Sequence, residues 1–130
     1  MTKGELSKYF YLSIEIKNLQ NRIEEIETTT VGSSKITGMP KGNGISNPVE
    51  KNVELVISLK AKLEKRKQKA MEQLEKIEEY IDGIQDSETR LIFTKRYVEF
   101  KRWEVIQREM CMSESSMFRR HSKQLRSVEK

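Results

Sequence analysis

From Tyr9 onward, Leu12, Ile16, Leu19, Ile23 and Ile26 recur at spacings of 3, 4, 3, 4 and 3 residues, so all six fall on one stripe of an α-helix. The pattern predicts a first helix from about Gly4 to Thr28. Farther along, Val56, Leu63, Ala70, Ile77 and Ile84 recur every seven residues, with Val53, Leu74 and Ile81 on the companion seam, which Lys60 and Lys67 interrupt. This predicts a second helix of about nine turns, from Pro48 or Val49 to Gly83, where the glycine ends or bends it. Two such helices can pack antiparallel or pair with copies in another chain. Charge favours the hairpin: Glu24, Glu25 and Glu27 would face the basic cluster Lys60–Lys69, and Lys8 would lie near Glu72 and Glu75. Each exposed pair contributes only about 0.3 kcal/mol, enough to bias orientation. A hairpin leaves apolar surface uncovered, so a homodimer, or packing against the C-terminal part, is expected.

Between the two periodic stretches the pattern breaks. Four of the six glycines (Gly32, Gly38, Gly42, Gly44) and both prolines (Pro40, Pro48) lie within 29–48, among threonines and serines, where neither helix nor strand is expected to persist. The expected organisation is therefore helix 1 over 1–28, a flexible loop over 29–48, helix 2 over 49–85, and a distinct C-terminal region over 86–130.

That last region changes texture. Asp86 and Ser87 are good N-cap residues, and Leu91, Ile92, Tyr97 and Val98 place apolar groups on one side of a short helix ending near Glu99. A basic break follows at Phe100-Lys101-Arg102. Trp103, Ile106 and Met110 form the i, i+3, i+7 stripe of the next helix, and Cys111-Met112-Ser113 reads as a tight turn. Ser113 caps a final helix whose Met117, His121 and Leu125 mark one face, while Ser115, Ser116, Arg119, Arg120 and Lys123 lie off it. Two short helices joined by a tight turn, the second opening on hydroxyl residues and continuing into Arg-Arg, match a DNA-binding helix-turn-helix. Such a helix fits the major groove, where arginine can donate to both O6 and N7 of guanine. Pattern alone leaves open a three-helix bundle with a basic solvated face.

Composition narrows the rest. The 130 residues are 35% hydrophobic and 35% charged, with a mean hydropathy of −0.73, too polar for a thick enclosed core and suited to solvated helices. The net charge is +5, and its distribution is uneven. Residues 1–85 carry 14 basic and 13 acidic side chains, whereas 86–130 carry 11 and 7, so the excess lies where a polyanion would be bound. The single cysteine, Cys111, has no intramolecular partner, and no apolar run reaches the roughly 18 residues of a membrane span. A reduced, cytoplasmic protein without a membrane partner is expected. The one histidine, His121, and Cys111 stand ten residues apart with no second His or Cys, which offers neither a zinc pattern nor a catalytic set. The glycines match no phosphate-binding loop. No enzyme, no metal and no cofactor are expected.

Arg96-Tyr97-Val98-Glu99, Trp103-Glu104-Val105-Ile106, Met112 to Met117 and Arg119-Arg120-His121 resemble the helix-turn-helix of region 4 in the sigma-70 family. They are more closely similar to the small phage and prophage transcriptional regulators of the ArpU/RinA-like group. Thr37-Gly38-Met39-Pro40-Lys41-Gly42 followed by Ile45-Ser46-Asn47-Pro48 resembles a loop found in prophage proteins that carry this module. The resemblance implies an all-α regulator of prophage or mobile-element origin, with a coiled coil followed by a helix-turn-helix that binds double-stranded DNA sequence-specifically. It implies that Glu114, Ser115, Ser116, Arg119, Arg120 and Lys123 face the groove and that Lys101, Arg102 and Arg126 touch phosphates. RNA polymerase is a further partner it implies. Where the group often has Gly in the turn, this chain has Cys111. The alternative is a phage packaging adaptor that oligomerises through its coiled coil and holds DNA without sequence preference.

Overall fold

A computed structural model describes residues 1–35 and 46–129, and side-chain surroundings within 1–29 and 50–127. The fold is all-α, with no strand among the described residues. Its elements are α1 (Lys3–Lys35), α2 (Ser46–Asp82), α3 (Ser87–Phe93), a π-helical segment (Thr94–Val98), α4 (Trp103–Met110) and α5 (Glu114–Glu129). Residues 36–45 of the expected 29–48 loop lie outside the described residues. On either side, helical backbone runs past the expected ends, through Lys35 and from Ser46. Pro48 falls in the first turn of α2, where no N–H is required. The start of α1 is fixed by a reciprocal cap: the Glu5 N–H donates to Thr2 Oγ1 at 3.2 Å, and the Thr2 N–H donates to Glu5 Oε2 at 3.1 Å.

The chain forms two compact units, Ile14–Gln68 and the combination of Met1–Ser13 with Lys69–Lys130. Within the first, the two helices run antiparallel. Ile23, Leu59 and Leu63 are buried, with Ile16, Leu19, Ile26 and Val56 packed against them. Of the expected charge pairs, Lys60–Glu27 is present at 3.2 Å, whereas Arg66 of the same basic cluster pairs with Glu15, outside the expected acidic set. The companion seam differs from expectation: Val53 is 52% exposed, and Leu59 takes the buried place. A strict seven-residue repeat drifts about 20° per heptad on a straight α-helix, so a seam extrapolated from Ile81 and Leu74 has turned outward by Val53. Lys60 and Lys67 are likewise on the solvated side.

The second unit has two apolar clusters. Leu6 of α1, Ile77 and Ile81 of α2, Ile84, Phe93 and Tyr97 form one, with Tyr9, Tyr80 and Leu125 against it. Ile92, Ile106 and Met117 form the other, flanked by Trp103, Met110 and Phe118. The sequence stripe of helix 1 begins at Tyr9, but Leu6, three residues earlier, is fully buried. Between α2 and α3, Arg90 donates from Nε to the Ile84 carbonyl at 3.0 Å and from Nη2 to that of Gln85 at 3.2 Å, holding the short connection. The single helix expected over 86–99 widens after Phe93 into the π-helical turn. It ends where the Glu99 N–H donates to the Thr94 carbonyl and Phe100 takes a left-handed φ of 58°. That conformation turns Phe100 onto Tyr9 and Phe10, at ring separations of 5.2 and 5.3 Å.

Candidate nucleic-acid interface

The helix-turn-helix is built from α4, the turn and α5. Cys111 ends α4 in the left-handed region, φ 52° and ψ 45°. Its N–H donates to the Arg108 carbonyl, and the Met112 N–H reaches back to Gln107, which closes the helix end as a glycine would. Ser113 then caps α5: its Oγ accepts from the Ser116 N–H at 3.2 Å, and its carbonyl accepts from Met117 at 3.0 Å.

α5 is pinned along one side. Met117 is fully buried, and His121 is 5% exposed with its Nε2 hydrogen-bonded to the Tyr97 hydroxyl at 2.6 Å. The imidazole lies among Phe93, Tyr97 and Trp103, at ring separations of 5.1, 5.8 and 4.9 Å. Burial lowers the His121 pKa to about 4, helped by the nearby charges of Lys3 and Arg96, and burial pushes Tyr97 up to about 12. His121 is therefore a neutral core residue at pH 7. One turn on, Gln124 donates to the Tyr80 hydroxyl at 3.0 Å, and burial raises the pKa of that phenol.

The remaining faces of α5 follow from helix geometry. At 3.6 residues per turn, Ser115, Arg119 and Arg126 fall roughly 160–200° from Met117, with Ser122 and Lys123 beside them. All five are exposed. Glu114 is exposed but lies roughly 100° from Ser115 in the first turn, and Ser116 is half-buried at its cap. Arg120 falls only roughly 60° from Met117, on the flank that meets α3.

The basic residues of 86–130 divide into two groups. Arg120 donates from Nη1 to Asp86 and from Nη2 to Glu88, each at 2.8 Å. Lys101 lies 3.2 Å from Glu99 and 2.8 Å from Glu109, which Lys95 also reaches at 2.7 Å. The hydrogen bonds from Lys101 and Lys95 hold the Glu109 carboxyl down at about 2, and those from Glu109 and Glu99 raise the Lys101 pKa. Arg96 stacks on the Trp103 ring at 4.6 Å and donates to the Lys101 carbonyl. In contrast, Arg102, Arg108, Arg119, Lys123 and Arg126 are exposed and make no ion pair among the described residues. Of the expected contact residues, then, Ser115, Arg119, Lys123 and Arg126 share one solvated stripe, and Arg102 is free at the start of α4. Arg120 and Lys101 are engaged within the unit. Arg108 was not among the expected residues; its position opposite Ile106 on a two-turn helix was the available signal. Arg119, Arg120 and Lys123 also line an open groove of about 580 Å³ with Asp86, Thr89 and Gln124.

Among the described residues, no group of three or more His, Cys, Asp and Glu side chains could hold a metal ion. No helix among them is long and apolar enough to cross a membrane. No curated protein and no solved structure matches the chain. A family model described as "Protein of unknown function (DUF1492)" matches residues 30–129, which is most of the sequence, and the chain belongs to that family.

Proposed function

We propose that this protein is a double-stranded DNA-binding regulator of transcription, of prophage or mobile-element origin, that lays α5 into the major groove. The observation that carries this reading is the stripe of Ser115, Arg119, Lys123 and Arg126. Its three cations make no ion pair among the described residues and are solvated on the face of α5 opposite a well-packed core, on the second helix of a capped helix-turn-helix, with the exposed Ser115 hydroxyl beside them 3.4 Å from that of Ser113. The neighbouring Lys95, Lys101 and Arg120 are each paired to a carboxylate, which sets the stripe apart from them. The resemblance to region 4 of the sigma-70 family and to the ArpU/RinA-like group supports the same reading. It makes the protein a binding protein rather than an enzyme: its one histidine is buried among aromatic rings.

The five exposed cations of 86–129 that make no ion pair among the described residues set the scale of the electrostatic component. If four of them meet phosphates, log K falls against log salt with a slope of about −3.6. Titration of labelled duplex DNA at several salt concentrations tests this, followed by selection of bound fragments from genomic DNA. Arg119→Ala combined with Lys123→Ala should weaken binding and flatten the slope by about two. An unchanged slope in that double variant refutes the assignment of α5. A homodimer on a two-fold operator belongs to the same reading, and light scattering of the protein alone and with DNA measures it.

A further inference from the structure

Two consecutive arginines on α5 are treated differently by the fold. Arg119 is exposed and makes no ion pair among the described residues. Arg120 is 31% exposed and has both Nη atoms committed at 2.8 Å, one to each of two carboxylates, while its buried Nε has no hydrogen-bond partner among the described residues. To reach a base, Arg120 would have to leave both bonds. It would also uncover the Asp86 and Glu88 carboxylates beside a polyanion, where like charge opposes binding.

Asp86 does more than neutralise. It is the N-cap of α3, accepting from the Thr89 N–H at 3.1 Å and from the Thr89 hydroxyl at 2.6 Å; these bonds, and then Arg120, hold its carboxyl below the usual range. Arg120 thus joins the middle of α5 to the first turn of α3. Gln124 makes a second tie, to Tyr80, one turn farther on and on the same side of the helix. Met117 fixes how deeply α5 sits, and the buried His121–Tyr97 hydrogen bond at 2.6 Å ties its inner face. The Arg120 guanidinium, held at two points between two carboxylates, ties the flank that meets α3 and resists rotation there.

We propose that Arg120 is a positioning residue that makes no DNA contact: tied to Asp86 and Glu88, it sets the rotation of α5 that presents Arg119, Lys123 and Arg126 to the duplex. The proposal rests on the DNA-binding reading above. It requires that Arg119 and Arg120 fail differently when altered.

The test is a set of salt-dependent titrations of a labelled mixed-sequence duplex with wild type, Arg119→Ala, Arg120→Met and Arg120→Lys. Each is checked for folding by circular dichroism and for hydrogen exchange of the α5 amides without DNA. Arg119→Ala should flatten the salt slope by about one with unchanged exchange. Arg120→Met should keep the wild-type slope, speed exchange along α5 and weaken binding several-fold, and Arg120→Lys, which can still bridge carboxylates, should recover much of that loss. A slope flattened by one in Arg120→Met would make Arg120 a DNA contact and overturn the proposal. So would folded Arg120→Met with wild-type affinity. If wild type shows no salt-dependent binding, the functional reading fails by itself, and unchanged α5 exchange in Arg120→Met would then sink the positioning role separately. Should Arg120→Met not fold, Glu88→Gln carries the same comparison.

Discussion

Acidification from about pH 7 to pH 5 should destabilise this protein through a single side chain. His121 is the only histidine, and its pKa of about 4 in the fold compares with 6.5 for the free imidazole. The folded state therefore refuses a proton that the unfolded chain accepts. Stability from this group is complete above about pH 6.5, is lost as pH falls toward 4, and changes no further below that. At about pH 5 the difference amounts to about 2 kcal/mol, near the full 1.36 kcal/mol per pH unit over the intervening range. Carboxylates do not confuse the window. Asp86 and Glu109 are lowered from ordinary values of 3.8 and 4.5, and their contribution is lost only at more acidic pH. Urea unfolding can be followed by the fluorescence of Trp103, the only tryptophan, whose ring lies 4.9 Å from the imidazole. The urea midpoint should fall in wild type and hold steady in His121→Leu. Equal midpoints for wild type at the two pH values would refute the reasoning, as would an imidazole proton resonance titrating near 6.5.

Other outcomes follow from the same geometry. Cys111→Gly should raise stability by about 0.5 kcal/mol, because relief of the left-handed residue at φ 52° exceeds the extra freedom of glycine in the unfolded chain. Cys111→Val should lower it, and urea midpoints measure both. Phe100→Ala keeps the strained backbone while losing the rings of Tyr9 and Phe10, so it should be less stable than Phe100→Gly by about 1 kcal/mol in the same assay. Ile106→Ala, at a fully buried site, should cost about 3 kcal/mol by thermal or urea denaturation. Glu109→Gln releases Lys95 while Lys101 keeps its pair with Glu99, and on the DNA-binding reading it should steepen the salt dependence of binding by about one.

Much of this fold was legible because helices write their buried faces in local spacing. The 3-4 stripe of helix 1, the end of α2 before Gly83, the Asp86 and Ser113 caps and the turn at Cys111 all depend on residues within a turn or two of one another. What escaped depended on distant partners. Leu6 is in the core because Tyr97 and Ile81 are there, and no local period says so. Val53 faces solvent because heptad drift accumulates over several turns. The unit that carries the helix-turn-helix also takes in Met1–Ser13 and Lys69 onward rather than starting at residue 86. The candidate site was legible as a set of cations, but not which were free. Helix geometry puts Arg119 and Arg120 at different angles from Met117, but that Arg120 is bound there depends on the positions of Asp86 and Glu88, some thirty residues earlier.

The burial of Leu6 in one cluster with Phe93 and Tyr97 has a temporal side. A ribosome makes Leu6 roughly ninety residues before those partners, so the helix-turn-helix unit cannot close until Tyr97 has been made. The helical pair within Ile14–Gln68 is under no such constraint, since its buried Ile23, Leu59 and Leu63 are all available earlier. Formation of that pair would bring the two halves of the discontinuous unit within reach of each other and shorten the search that its closure requires. The unit that carries α4 and α5 is thus completed by residues made roughly ninety positions apart, and it closes only after the helical pair between them has been synthesised.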